Sequence, residues 1–226
     1  MRKTLLATTL LATIAATPAA FAHEAGDIIV RAGAVTVTTH ESTSGVKTSG
    51  LGNLGGKATL NNDTQLGLNF AYMVTDNIGI ELLAATPFKH DVHVKGTGIN
   101  FVDGKLGSLK HLPPTLSAVY YPLDSKSSFQ PYIGAGINYT WFFDEKLSSS
   151  AKNSALAANS FKVKNSWGLA AQVGADYMLT DNLMINGQVR YIDIDTDATL
   201  NTVAGRTKVN VDVKPWVYMV GLGYKF

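Results

Sequence analysis

The sequence predicts an all-β fold: an eight-stranded antiparallel transmembrane β-barrel with short periplasmic turns and long extracellular loops. Three observations predict it. The chain closes on a segment in which Trp216, Tyr218, Val220, Leu222, Tyr224 and Phe226 alternate with Val217, Met219, Gly221, Gly223 and Lys225. Successive strand side chains face opposite ways, so one face is large and apolar and the other mostly small or polar. About eight segments of the chain carry such an alternation, an even number as single-chain barrels require. No apolar run after residue 22 reaches the about 20 residues of a spanning helix, and only helices and closed barrels satisfy every backbone group in lipid.

The N-terminus predicts export. Arg2 and Lys3 precede an uncharged apolar stretch, Thr4 to Ala16, and Ala20-Phe21-Ala22 supplies a small-residue cleavage site. Residues 1–22 read as a signal peptide and 23–226 as the barrel. The stretch is too short for a membrane anchor. Removing Arg2 and Lys3 leaves 17 basic residues against 17 acidic ones, with no basic excess to suggest nucleic acid. The absence of cysteine excludes disulfides and thiolate metal sites, and no cofactor is expected.

The strands follow in order. In the first, near Asp27 to Thr39, an inward Arg31 places Ile28, Val30, Ala32 and Ala34 outward. In the second, Leu66, Leu68, Phe70, Tyr72 and Val74 share the outer face. The third puts Ile78, Ile80 and Leu82 outward and Glu81 and Leu83 inward. The fourth, roughly Leu112 to Tyr121, turns out Leu116, Ala118 and Tyr120. The fifth turns out Ile133, Ile137, Tyr139 and Trp141. The sixth turns out Trp167, Leu169, Val173 and Tyr177, the seventh Leu183, Ile185, Val189 and Tyr191. The closing segment is the eighth.

The connections alternate in length. Thr75-Asp76-Asn77 and Thr180-Asp181-Asn182 are near-identical tight turns, and 122–128 is the third short one. The other four, about 40–62, 89–110, 144–164 and 196–208, are long and polar and are expected as loops. Ser148 to Asn159 has helical spacing. This plan puts both termini on the periplasmic side.

Candidate chemistry is sparse. His23, His40, His90, His93 and His111 do not form a triad with a nearby Ser and Asp. His90-Asp91-Val92-His93 would face opposite ways on a strand, and a solvated loop is expected there. Gly134-Ala135-Gly136 lies inside a strand without the following helix a dinucleotide site needs. No enzyme and no metal site is expected.

The interior is more informative. Arg31, Glu81, Asp176 and Arg190 point inward by parity, with Gln65, Asn69, Gln130, Asn138, Gln172, Asn186 and Gln188. Buried charges pair, and a barrel of eight strands is narrow enough for side chains to fill. A polar plug is therefore expected in the periplasmic half. On the loop side, Leu83, Phe142, Ile192 and Ile194 are candidates for an apolar lining, with Phe88, Leu109 and Leu112 nearby. Pro87 cannot donate to a ladder. It either ends the membrane part of the third strand or opens a gap in the wall.

The run Asn62 to Phe88 (NDTQLGLNFAYMVTDNIGIELLAATPF) resembles the OmpW family of outer-membrane proteins, and its OprG-like branch in particular. So do His23-Glu-Ala-Gly-Asp27, Leu112-Pro-Pro-Thr115, Pro131 to Thr140, Tyr191 to Thr196 and Pro215 to Tyr218. The resemblance covers 23–226 and lapses only in the loops. It implies an outer-membrane channel for passive uptake of small, mainly hydrophobic molecules, released laterally near Pro87. It implies a channel floor of a leucine and a tryptophan. The leucine falls on Leu83, but the tryptophan position is Arg190, which would admit polar or zwitterionic cargo.

The expected partners are outer-membrane lipid and lipopolysaccharide, small-molecule solutes, and the barrel-assembly machinery acting on the strand that ends at Phe226. The chain is expected to be a monomer. The alternatives are an interaction barrel whose loops act as a phage, bacteriocin or host-surface receptor, and an uptake channel for small amino acids.

Overall fold

The computed structural model describes residues 22–39, 41–43, 46–49, 52–96, 103–154, 157–203 and 205–226. The signal-peptide reading falls on residues 1–21, outside the described residues, apart from Ala22; His40 is also outside them.

Eight strands form the barrel: β1 (Ile28–Thr38), β2 (Asp63–Met73), β3 (Ile78–Ala85), β4 (Thr115–Tyr120), β5 (Phe129–Leu147), β6 (Ser166–Met178), β7 (Leu183–Ile192) and β8 (Trp216–Lys225). Each pairs antiparallel with its neighbours in sequence, and β8 pairs with β1, from Ile29 opposite Lys225 to Thr38 opposite Trp216. That last ladder removes the open edges that an unclosed sheet would leave. Gly33 lies opposite Gly221 where β1 and β8 pair. A Cβ at Gly33 would fall 2.1 Å from the Val220 carbonyl oxygen, so only glycine fits there.

The two repeated turns have one geometry. The Thr75 and Thr180 hydroxyls accept from the amides of Ile78 and Leu183, each at 3.0 Å. Asn77 Nδ2 then donates to the Tyr121 carbonyl at 2.7 Å, and Asn182 Nδ2 to the Lys225 carbonyl at 2.8 Å. Each turn thus fastens the end of the next strand as well as its own hairpin.

The outer face is apolar. Leu169 and Val220 are 71% and 66% exposed, an arrangement that only lipid can cover. Aromatics edge the band at both ends. Tyr139 stacks beside Trp167 and Tyr191 beside Trp216 at the loop end, and Tyr224 beside Phe226 at the periplasmic end.

The expectation of long loops is corrected. Lys57–Leu60, Phe88–Lys95 and Gly104–Leu112 pair with one another and with the upper part of β5. Ser160–Val163, Ile194–Thr202, Gly205–Val213, Val46–Thr48 and Gly52–Gly55 form a second sheet, with Glu41–Thr43 beside it. The wall continues beyond the membrane. Its outer face there meets water, so these strands carry Ser, Thr, Asn and Lys where membrane strands carry Leu and Tyr, and they read as loops. Within the third long connection, a four-residue helix at Ser149–Lys152 is capped by Ser148.

The interior has three layers. An apolar cluster of Ile29, Ala71, Met73, Val119, Met178 and Met184, with Tyr121 and Tyr132, fills the periplasmic end. A charged layer lies above it. A second apolar cluster, including Val35, Val37, Leu83, Ile192, Ile194 and Met219, lies above that.

Candidate functional site

The charged layer is a continuous network. Arg31 Nε donates to Asp176 Oδ1 at 3.0 Å and its Nη2 to Oδ2 at 2.5 Å. Its Nη1 donates to Asn69 Oδ1 at 2.9 Å and lies 3.4 Å from Glu81 Oε2. Arg190 Nη2 donates to Glu81 Oε1 at 2.6 Å and its Nε to Gln172 Oε1 at 2.6 Å. Asn186 Nδ2 donates to Asp176 Oδ1 at 2.8 Å and to the Tyr132 hydroxyl at 3.0 Å. All four charged residues are buried. Two acids and two bases meet at short range and neutralise one another.

The sequence located Arg31, Glu81, Asp176 and Asn186 in this plug by parity alone. Arg190, which parity set among the inward charges and the resemblance set in the channel floor, pairs with Glu81 in this layer, and two of its nitrogens are held by Glu81, Gln172 and Gln188. One placement is corrected. Gln65, expected in the plug, lies at the loop end of β2, where its amide reaches Asp63 and the Thr86 hydroxyl. Parity fixes the side a residue faces, not its height in the barrel.

The sequence missed three members. His23 Nε2 lies 3.0 Å from Asp176 Oδ2, with its ring edge-on to Tyr121 at 4.7 Å. Tyr121 accepts from Arg31 Nη2 at 2.9 Å. Tyr132 lies with its ring 5.7 Å from the Arg31 guanidinium. His23 precedes β1, so no periodicity could place it. Tyr121 and Tyr132 do follow inward parity.

Above the plug lie two neighbouring apolar chambers. The lower, of about 30 Å³, is lined by residues including Val37, Leu60, Leu109, Phe142 and Ile194. The upper, of about 60 Å³, lies within the extension among Val92, Leu106, Phe142, Phe161 and Val211. Leu60, Leu109, Phe142 and Val213 line both. The predicted Leu83, Ile192 and Ile194 are buried in the same cluster, against which Phe142 packs. The chamber wall also contains His90 and His111, 2.8 Å apart between their Nε2 atoms. The solvated loop expected around His90 is corrected. That segment is a strand, and alternation places His90 inside it, almost wholly buried. Burial, with the neighbouring His90 second, pushes the His111 imidazole down to about 3.

Pro87 sits in the wall. The β2–β3 ladder runs from Met73 opposite Gly79 up to Gly67 opposite Ala85. Pairing resumes only at Leu60 opposite Val92. The Thr86 amide still donates to the Leu66 carbonyl at 2.9 Å, and from there to Leu60 side chains stand in for the ladder. The Thr86 hydroxyl accepts from the Leu66 amide at 3.2 Å and donates to Gln65 Oε1 at 2.9 Å. Asp63 Oδ2 accepts from the Lys89 amide at 2.8 Å. Asn61 Oδ1 accepts from the Asp91 amide at 2.6 Å. Pro87 itself is exposed. Among the described residues, no group of three or more His, Asp or Glu could hold a metal ion.

A closed eight-stranded wall with an apolar outer band and a filled interior defines an outer-membrane β-barrel. The OmpW family profile matches residues 24–226, and the chain belongs to that family. It is 43% identical to outer membrane protein W of Vibrio cholerae over the full length of both chains. The crystal structure of OprG from Pseudomonas aeruginosa superposes with a TM-score of 0.85, at 52% identity, over 90% of this chain and 97% of that one. The solid-state NMR structure of AlkL in lipid bilayers superposes with a TM-score of 0.69, at 28% identity, over 90% of this chain and 92% of that one.

Proposed function

We propose that the chain is a passive channel, not an enzyme, for small and mainly hydrophobic molecules. They enter from outside through the two apolar chambers, stop at the charged plug and leave sideways through the wall at Pro87. One observation carries this reading: an apolar lining stands above a closed polar layer, beside a stretch of wall that has side-chain bonds in place of a ladder. An apolar solute cannot cross the plug without breaking buried ion pairs, whereas the wall opens onto lipid. A relative from Pseudomonas aeruginosa, 25% identical over 173 residues, is named as a dibenzothiophene metabolism operon protein, a name that points to an apolar aromatic compound.

A second reading, uptake of small amino acids, is favoured by Arg190. Among the described residues its Nη1 is buried without a partner, which a carboxylate would supply. Uptake of an apolar and a zwitterionic solute, compared in cells that lack and carry the protein, separates the two. Faster entry of the apolar solute alone supports the channel proposed here. Entry of the amino acid alone overturns it. Neither result depends on the extracellular segments acting as a receptor, since uptake needs no macromolecular partner.

A further inference from the structure

We propose that the extension opens to admit a solute. Its two sheets part along the seam between the upper part of β5 and Ser160–Val163, where Asn165 and Glu145 form a latch, and the apolar chamber between the sheets widens into a binding site. The proposal rests on the channel reading and names its moving part.

The upper chamber is the space between two separate sheets. Val92, Leu106 and Phe142 line it from one, and Phe161, Val163 and Val211 from the other. Its volume of about 60 Å³ holds a few waters, whereas a cavity of about 150 Å³ takes benzene. The chamber must therefore widen before a hydrocarbon can occupy it. Parting the sheets exposes apolar lining, which is unfavourable in water. An apolar solute that fills the gap covers that lining again, so it favours the parted state.

Two seams separate the sheets, and no ladder crosses either among the described residues. At the first, the β5–β6 ladder ends at Thr140 opposite Ser166. Above it, side chains bridge residues 142–147 to the opposing segment. The Phe142 amide donates to Asn165 Oδ1 at 3.0 Å, and Asn165 Nδ2 donates to the Tyr139 hydroxyl at 2.9 Å. The Val163 amide donates to Glu145 Oε1 at 3.4 Å, and Lys162 Nζ lies 3.4 Å from Glu145 Oε2. The two contacts of Glu145 are long for hydrogen bonds. At the second seam, the β1–β2 ladder ends at Val37 opposite Asp63. Above it the Thr39 amide donates to Asn62 Oδ1 and the Thr39 hydroxyl to the Leu60 carbonyl, each at 3.3 Å.

Continuous ladders hold each sheet together, so the seams open first. The chain crosses between the sheets in 148–159 and at Gly56, so the sheets part without coming free. The first seam leads straight to the chamber, because Phe142 and Val163 carry bridging amides and also line it.

The chain has no cysteine, so thiol bridges form only where they are placed. Glu145→Cys with Lys162→Cys spans the first seam. Thr199→Cys with Lys208→Cys, opposite one another within one sheet, is the control. Each pair is bridged from outside, in cells carrying the full chain, by a bifunctional methanethiosulfonate that a reductant removes. Uptake of 1-methylnaphthalene is then measured at matched membrane levels. Bridging the seam is expected to bring uptake down toward that of cells without the protein, and reduction to restore it. Bridging the control pair should leave uptake unchanged. Undiminished uptake with the seam bridged overturns the proposal and leaves the channel reading intact, and so does an equal loss with the control pair bridged. No uptake by the wild type above cells without the protein overturns both. Should the seam variant not fold, amide exchange of the wild type in lipid nanodiscs decides. The Phe142 and Val163 amides should exchange faster than those that pair Ile194–Thr202 with Gly205–Val213. Equal protection of the two sets overturns the proposal.

Discussion

Arg31 and Asp176 meet along two parallel hydrogen bonds across the barrel interior, from β1 to β6. Asp176 also accepts from Asn186 and contacts His23. One carboxylate thus ties together β1, β6, β7 and the segment before β1.

Asp176→Ala should therefore be strongly destabilising. Loss of one partner from a buried pair costs about 3–5 kcal/mol, because the other charge stays buried. Urea unfolding in lipid vesicles should show that loss. The double variant Arg31→Met with Asp176→Leu should recover much of it, since no charge is then left unpaired. A double variant as unstable as the single would show that packing, not charge, is what Asp176 supplies.

Glu81 joins the two arginines. Glu81→Ala leaves Arg31 with Asp176 but takes the only carboxylate from Arg190 among its described contacts. The variant should conduct ions in planar bilayers where the wild type does not, because the plug then holds an unneutralised cation and a void. A variant as silent as the wild type would mean that the flanking tyrosines and methionines seal the barrel without the charges.

The extension should loosen in acid. The folded His111 imidazole is pushed down to about 3, and in the unfolded chain it titrates near 6.5. The unfolded state binds the proton first, so stability is full above about 6.5 and falls as pH drops toward 3. Amide exchange in Gly104–Leu112 should accelerate over that window in the wild type. In His111→Phe it should be flat, apart from the intrinsic pH dependence of exchange. The same acceleration in both would place the titrating group elsewhere.

Asn77→Ala and Asn182→Ala should each cost about 0.5–1.5 kcal/mol, the net worth of one hydrogen bond. The two donate to different strand ends, Tyr121 and Lys225, and share no partner, so the double variant should show the sum. Unfolding midpoints of the three variants check this.

Strand count, facing and most of the plug were legible because membrane strands alternate between lipid and a packed interior, two environments of opposite polarity. Beyond the membrane the outside is water. Gly205–Val213 alternates Lys208 and Asn210 with Val209 and Val211 in a pattern too mild to stand out, so the extension read as loop. Height in the barrel left no mark in the alternation, and that is why Gln65 was misplaced. The His90–His111 contact joins two strands through a hairpin, and nothing local to either residue announced it.

Sideways exit at Pro87 is tested most directly by Pro87→Val. Valine restores a backbone donor and the packing of a β-branched side chain. Each new ladder bond would add only about 0.5–1.5 kcal/mol, yet a solute held above the plug would lose its dry path into lipid. Uptake of an apolar solute is compared at matched membrane levels of wild type and variant. The account predicts that Pro87→Val folds and that its uptake falls toward that of cells without the protein. Undiminished uptake by a folded Pro87→Val barrel would contradict it and put the path through the centre, past Leu83 and Arg190.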